Sequence, residues 1–493
     1  MADIQHIVVL MLENRSFDSM LGMLYPKGHK GFNGLTGKES NLVTDQTGSQ
    51  REIKVWNDYN AQENRLGSMD IPKGHPGGKF DEITQQLFGS KTPRSGASAN
   101  MSGFAQNYCD VATDNLPDDI MHYYVPEQIP VLSYLARQYA VCDAWFASAP
   151  CQTWPNRFFI HTGTAAGYHN NSPCHFPYLM PTIFTRFNHK GKANGWKIYF
   201  HDFPQASALS DLWPYVDQFD NIHRFKEDLV NGTLPSYSFI EPGYFIGPHS
   251  PSDQHPPHEV PYGEQIIADV YNNLRTSSYW KNTLLIITYD EHGGCYDHVP
   301  PPSAPMPEPA RPDQTFAFDR YGVRVPTIVI SPYIPAGTIF RAPTGSQPYD
   351  HTSVLTTLRS CFDLGGPLTE RDRHAPDLLS LLTLSDAQLN HGAEVEKPVI
   401  ETAQPTFRKK EERSTDEFCD LQKSLYEAAA NLPDLRESHT HSERRQKIQA
   451  CIQQLKIANK VPPKHRTQKE ALAYIREKLE AFRAAHHEPI RSK

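Results

Sequence analysis

The chain has 493 residues, a hydrophobic content of 38%, 41 prolines and a formal net charge of −8. These values describe a globular chain of two or three units with many fixed loops, and they exclude a disordered or collagen-like one. Its eight cysteines contain no CxxC pair, which excludes a zinc-finger pattern and a dense disulfide framework, and no apolar stretch approaches the roughly 20 residues needed to span a bilayer.

In "HIVVLMLENRSFDSML" the run Ile7 to Leu12 predicts a strand buried on both faces, ended by Glu13, Asn14 and Arg15. It is too short for a signal peptide and no Lys or Arg precedes it. A cytoplasmic chain, or one exported by another route, follows from that reading. "IPKGHPGGKFDE" places His75 in a Pro- and Gly-rich loop. In "SAPCQTWPNRFFIHTGT", Pro155 suits a first helical turn and puts Thr153 at or next to the N-cap. That threonine either caps the helix or acts as a nucleophile beside its positive end. Asn156 and Arg157 either donate to a phosphate or simply begin the helix.

"YSFIEPGY" predicts a strand ending in Glu241, and "SDQHPPHE" sets His255 in a second rigid loop. A helix over "GEQIIADVYNNLRTS" leads to "LLIITYDEHGGCYDHVPPP", where Leu284 to Tyr289 reads as a strand followed by Asp290, Glu291 and His292. Gly293 and Gly294 allow a sharp turn before Asp297 and His298. "VPTIVISPYI" supplies a fourth strand. Strands alternating with helices predict a doubly wound α/β fold with a mostly parallel sheet. Carboxylates at two strand ends with imidazoles in rigid loops suit one divalent cation: calcium, magnesium, manganese or zinc. Solvated loop residues are the alternative.

Composition breaks near residue 400, with Pro405 in the connection. Residues 405–493 carry a net +6, leaving −14 on the rest. "DLQKSLYEAAANL" and "KEALAYIREKLEAFRAA" have helical spacing. The expected domains are therefore a catalytic domain over 1–400 and a basic helical appendage over 401–493. The appendage reads as an oligomer contact or, on an anionic lipid surface, as a peripheral membrane contact. It lacks the aromatic interleaving and dense basic run of a nucleic-acid binder, so no nucleic acid is expected.

Seven segments in order, "ENRSFDSMLG", "KGHPGGKFD", "VCDAWFASAPCQTWPNRFFIHTGT", "SFIEPGY", "DQHPP", "YDEHGGCYDHVPPP" and "DRYGVRVPTIVISPYI", resemble the phosphoesterase family of bacterial phospholipases C and related metal-dependent acid phosphatases. The form "DEHGGCYDHVP" resembles the plant non-specific phospholipases C. The resemblance implies an alkaline-phosphatase and sulfatase-like core with a metal held by Glu13, Asn14, Asp290 and Glu291. It makes Thr153 the nucleophile, also touching the metal, and His75 and His255 phosphate-site histidines. His201 lies where members vary and would shape the pocket. His292 and His298 would orient carboxylates or assist proton transfer, and Arg15 and Asp18 would brace the first loop. The implied reaction is phosphoester hydrolysis through phosphothreonine, releasing diacylglycerol and a phosphorylated head group from a phospholipid. An acid phosphatase on soluble monoesters, or a non-catalytic binding protein of the same fold, are the rivals.

Overall fold

Strand His6–Leu12 is apolar after its first residue, and strand Thr283–Tyr289 is buried throughout, as expected of strands covered on both faces. They pair in parallel with Leu12 opposite Tyr289, so Glu13 and Asp290 leave the same sheet edge side by side. The computed structural model that shows this describes residues 3–484 apart from 64, 113–114, 192–194, 246–249, 311–314, 390, 401–413 and 439. The junction expected near 400, with Pro405, lies outside the described residues.

The chain forms two units, 1–170 with 252–400 and 171–251 with 401–493. The sequence reading set 1–400 apart from the tail, whereas here residues 171–251 group with the tail. Aromatic and ionic contacts explain the grouping: the Phe219 ring lies 6.0 Å from Phe482, Phe245 lies 5.5 Å from Phe418, and Arg444 Nη1 lies 2.9 Å from Asp217 Oδ2.

In the first unit the strand order is Thr338–Phe340, Ala140–Cys142, Thr327–Ile330, Thr283–Tyr289 and His6–Leu12. Thr327–Ile330 is antiparallel to both neighbours and the other pairs are parallel, which gives a mixed sheet within the expected α/β class. Helix Pro130–Gln138 begins with proline, whose missing N–H costs nothing there. Its next two N–H groups donate to Glu264 on helix Val260–Arg275, at 2.6 Å from Val131 and 3.1 Å from Leu132. Helix Thr153–Thr162 follows N-cap Gln152 and stops at Gly163, whose φ of 77° is left-handed.

The second unit has Trp196–Phe200 between parallel strands Phe219–Asn221 and Tyr237–Glu241. Glu241, expected at a strand end, is fully buried and accepts from the Gln205 and Ala206 N–H groups, which makes it a local brace. The tail forms helices Asp420–Asn431, His441–Leu455 and Gln468–Arg483. The last two begin with Thr-x-x-Glu capping boxes, Thr440 with Glu443 and Thr467 with Glu470. Among the described residues no helix is long and apolar enough to cross a membrane.

Candidate active site

The two adjacent strand ends bring Glu13, Asn14, Asp290 and Glu291 together, and helix Thr153–Thr162 adds Thr153 and Arg157. Thr153 Oγ1 lies 3.3 Å from both Glu13 Oε2 and Asn14 Oδ1. Asn14 donates its amide to Glu291 Oε1 at 2.6 Å and its backbone N–H to Asp290 Oδ1 at 3.0 Å. Arg157 reaches Glu13 Oε1 at 2.6 and 3.0 Å and donates to the Met11 carbonyl. All six side chains are buried. Asn14 holds a left-handed φ of 49°, and Gly293, at 60°, runs so close that a Cβ there would sit 2.2 Å from the Asn14 carbonyl oxygen. The Gly-Gly pair is therefore a steric requirement of the site.

Three buried carboxylates facing one guanidinium leave a deficit of positive charge. Burial pushes the Glu13 carboxyl well above its ordinary range; Arg157 pulls the other way and Asp290 adds to the rise. Burial raises Glu291 too. Asp290 Oδ2 is buried and receives no hydrogen bond among the described residues, with Arg157 Nε at 3.7 Å. An all-oxygen donor set with an orphaned carboxylate oxygen fits a hard divalent cation.

Around this cluster the expected residues divide. The His255 ring Nδ1 lies 2.6 Å from the Pro256 carbonyl, so it carries the proton there, and burial pushes the imidazole well below its ordinary range. His75 is exposed and close enough to act electrostatically on His255. His292 is buried between Gln86, at 2.8 Å, and Glu291, at 3.4 Å, so it orients a carboxylate and has little reach towards a substrate. Asn156 was expected among the substrate-binding residues. Its amide is instead spent on the carbonyls of Ala149, Cys151 and Gln152 and on the Ala149 N–H, which shapes the loop before Thr153. Arg157, expected there too, is committed to Glu13. His201 belongs to the second unit, beside Gly243.

Three contributors escaped the sequence reading. Asp253 accepts the Glu13 N–H through its spatially adjacent backbone (its carbonyl is 2.9 Å away), and its carboxylate binds His258 Nδ1 at 2.7 Å. The second histidine of "HPPH" was the available signal. His351 is fully buried, with Nε2 at 2.6 Å from the Asp290 carbonyl and Nδ1 accepting from the Trp145 indole at 3.3 Å.

A second group, Asp18, Asp297 and His298, presents ligand atoms within 4.8 Å of one another and is a candidate divalent-cation site. The buried Arg324 guanidinium already contacts both carboxylates, at 2.9 Å to Asp18 and 3.0 Å to Asp297, and His298 Nδ1 lies 2.6 Å from Asp18. Arg15, the expected loop brace, donates to the carbonyls of Gln254 and Ile71.

The family model described as "Phosphoesterase family" matches residues 4–365. The chain is 34% identical over 473 residues to non-specific phospholipase C1 of Arabidopsis thaliana, covering 91% of this chain and 85% of that protein. It is 28% identical over 439 residues to phospholipase C B of Mycobacterium tuberculosis, covering 77% and 78%. A solved protein of the alkaline phosphatase superfamily from Vibrio parahaemolyticus matches at 13% identity and a TM-score of 0.30, over 51% of this chain and 63% of that one.

Proposed function

Because this chain belongs to the phosphoesterase family, we propose that it is a metal-assisted phosphoester hydrolase of the phospholipase C type, with Thr153 as its nucleophile. The observation that carries the reading is the buried hydroxyl of Thr153, 3.3 Å from Glu13 and Asn14, at the first position of a helix. The substrate is a phospholipid, and the products are diacylglycerol and a phosphorylated head group.

Glu13, Asn14, Asp290 and Glu291, with Thr153, are the residues that would hold the cation. Bound there, a divalent ion supplies charge that favours the ionised hydroxyl and screens the phosphate. Arg157 holds Glu13 in place and opposes the upward shift that burial gives its carboxyl. The positive N-terminal end of helix Thr153–Thr162, where Thr153 is the first residue, suits the phosphate oxygens of a substrate attacked by Thr153. Asn156 fixes the loop that delivers the threonine. His255, with its proton on Nδ1, leaves Nε2 as a base for the water that hydrolyses the phosphothreonine, while His75 stands nearby as a phosphate contact. His258, oriented by the Asp253 carboxylate 2.7 Å from its Nδ1, is the donor to the leaving alcohol. Metal-stripped and metal-restored protein, given a phosphatidylcholine and a soluble monoester, tests the reading. Diacylglycerol release only with metal, and acid-stable phosphate on Thr153 after quenching, are expected. Free phosphate from the monoester alone would mean a phosphatase, and no turnover of either would favour a binding protein. Thr153→Ala should lower turnover by at least about 10⁴-fold.

A further inference from the structure

Among the described residues, Val399, Ile457 and Val461 are the most exposed large apolar side chains, at 90%, 88% and 88%. Two of these three lie four positions apart in the same short loop, between helices His441–Leu455 and Gln468–Arg483. Isolated exposed apolar side chains are ordinary; two such extremes in one loop of fixed geometry are not.

The loop is held at several points. The Asn431 amide accepts from the Lys460 N–H at 2.6 Å and donates to the Lys460 carbonyl at 3.0 Å. The Tyr426 hydroxyl donates to the Pro463 carbonyl at 2.6 Å, Thr415 Oγ1 donates to the His465 carbonyl at 2.9 Å, and the Asn459 amide donates to the Pro173 carbonyl. Backbone anchored in this way presents Ile457 and Val461 to solvent without a further ordering cost on contact.

The charge along the loop is positive, and the nearest acid in sequence is Glu470, which accepts from the Arg466 and Thr467 N–H groups where the next helix begins. From residue 456 to residue 469 the sequence contains Lys456, Lys460, Lys464, Arg466 and Lys469 and no acidic residue. All five are exposed. Apolar tips between basic side chains match the interface of an anionic bilayer, where the tips enter the acyl boundary and the ammonium groups meet lipid phosphates. We propose that the 456–466 loop is a docking surface for an anionic phospholipid bilayer. The proposal deepens the reading of a phospholipid substrate and rests on it, since an enzyme of that class must work at a lipid surface.

The test uses the full chain, with vesicles of phosphatidylcholine containing about 30% phosphatidylserine and with pure phosphatidylcholine vesicles as the control. Wild-type protein should sediment with the anionic vesicles and be released by about 0.5 M salt, where charges are screened beyond a few Å. Ile457→Ser with Val461→Ser should weaken that partition at least about tenfold. Lys456→Gln, Lys460→Gln and Lys464→Gln together should abolish the difference between anionic and neutral vesicles. Both sets should hydrolyse a water-soluble phosphodiester at the wild-type rate, which also reports an intact fold. Undiminished partition of the serine variant, or no wild-type binding to anionic vesicles, overturns the docking surface. So does conversion of a dimer to a monomer by the serine substitutions with vesicle binding unchanged, which would make the loop a contact between copies. Vesicle binding that responds to both sets of substitutions in a protein that hydrolyses no phosphoester supports the docking surface and overturns the functional reading instead.

Discussion

Arg157→Met removes the cation that compensates Glu13. The side chains of both residues are at most 3% exposed, and the guanidinium approaches the carboxylate at 2.6 Å, with Asp290 at 3.7 Å from the same group. Removing one member of such a buried pair costs about 3–5 kcal/mol, because the remaining charge is left unsolvated. For a unit of this size, 1–170 with 252–400, the unfolding entropy gives roughly 1.5 °C per kcal/mol, so the melting temperature should fall by about 4–8 °C. Glu13→Gln added to Arg157→Met removes the orphaned charge and should return most of that loss. A saturating divalent cation should also return part of it in the single variant, since the cation would take over the compensation. Thermal melts by circular dichroism of wild type, single and double variants, with manganese or chelator, give all the quantities. A single variant melting within about 2 °C of wild type would refute the argument that Arg157 holds a buried charge in place.

Other expectations follow from neighbouring residues. Burial raises Glu264 to about 8 in the folded chain. Its stabilising contribution is thus complete below the ordinary carboxylate range and is lost as pH rises through about 8; Glu264→Gln should remove this decline, about 1.4 kcal/mol per pH unit between about 4.5 and 8, in urea titrations. Gly293→Ala must resolve both a left-handed φ of 60° and a contact of 2.2 Å with Asn14, so it should lose at least about 1–2 kcal/mol of stability and release bound metal, read by elemental analysis. His351→Leu should weaken manganese binding about 10–100-fold by freeing the Asp290 carbonyl, while His351→Gln, which keeps a donor, should bind nearly as wild type in a paramagnetic titration.

The strands and helices that carry Glu13, Thr153 and Asp290 were readable because each is a local pattern: a short apolar run, or Thr-x-Pro before aromatic residues. Their adjacency was readable only in outline, as two strands ending alike; register, with Leu12 opposite Tyr289, is what makes it a site. His351 could not be read at all, since its contact with Asp290 bridges 61 residues and depends on Trp145 fixing its tautomer. Asn156 misled for a related reason. An amide beside a nucleophile has the same appearance in sequence whether it faces a phosphate or its own loop. The partnership of residues 171–251 with the tail leaves no local signal, because each segment looks complete in its own propensities.

That partnership has a consequence for how the chain is made. On a ribosome, residues 171–251 emerge well before residue 401, and at 5–20 residues per second the gap is roughly 8–30 s. During that interval Phe219 and Phe245 have no Phe482 or Phe418 to cover them. The nascent second unit waits with open aromatic surface while the sheet residues of the first unit are still being added. A chain ended near residue 400 stays in that state permanently, so loss of the tail should appear first as chaperone retention and poor yield.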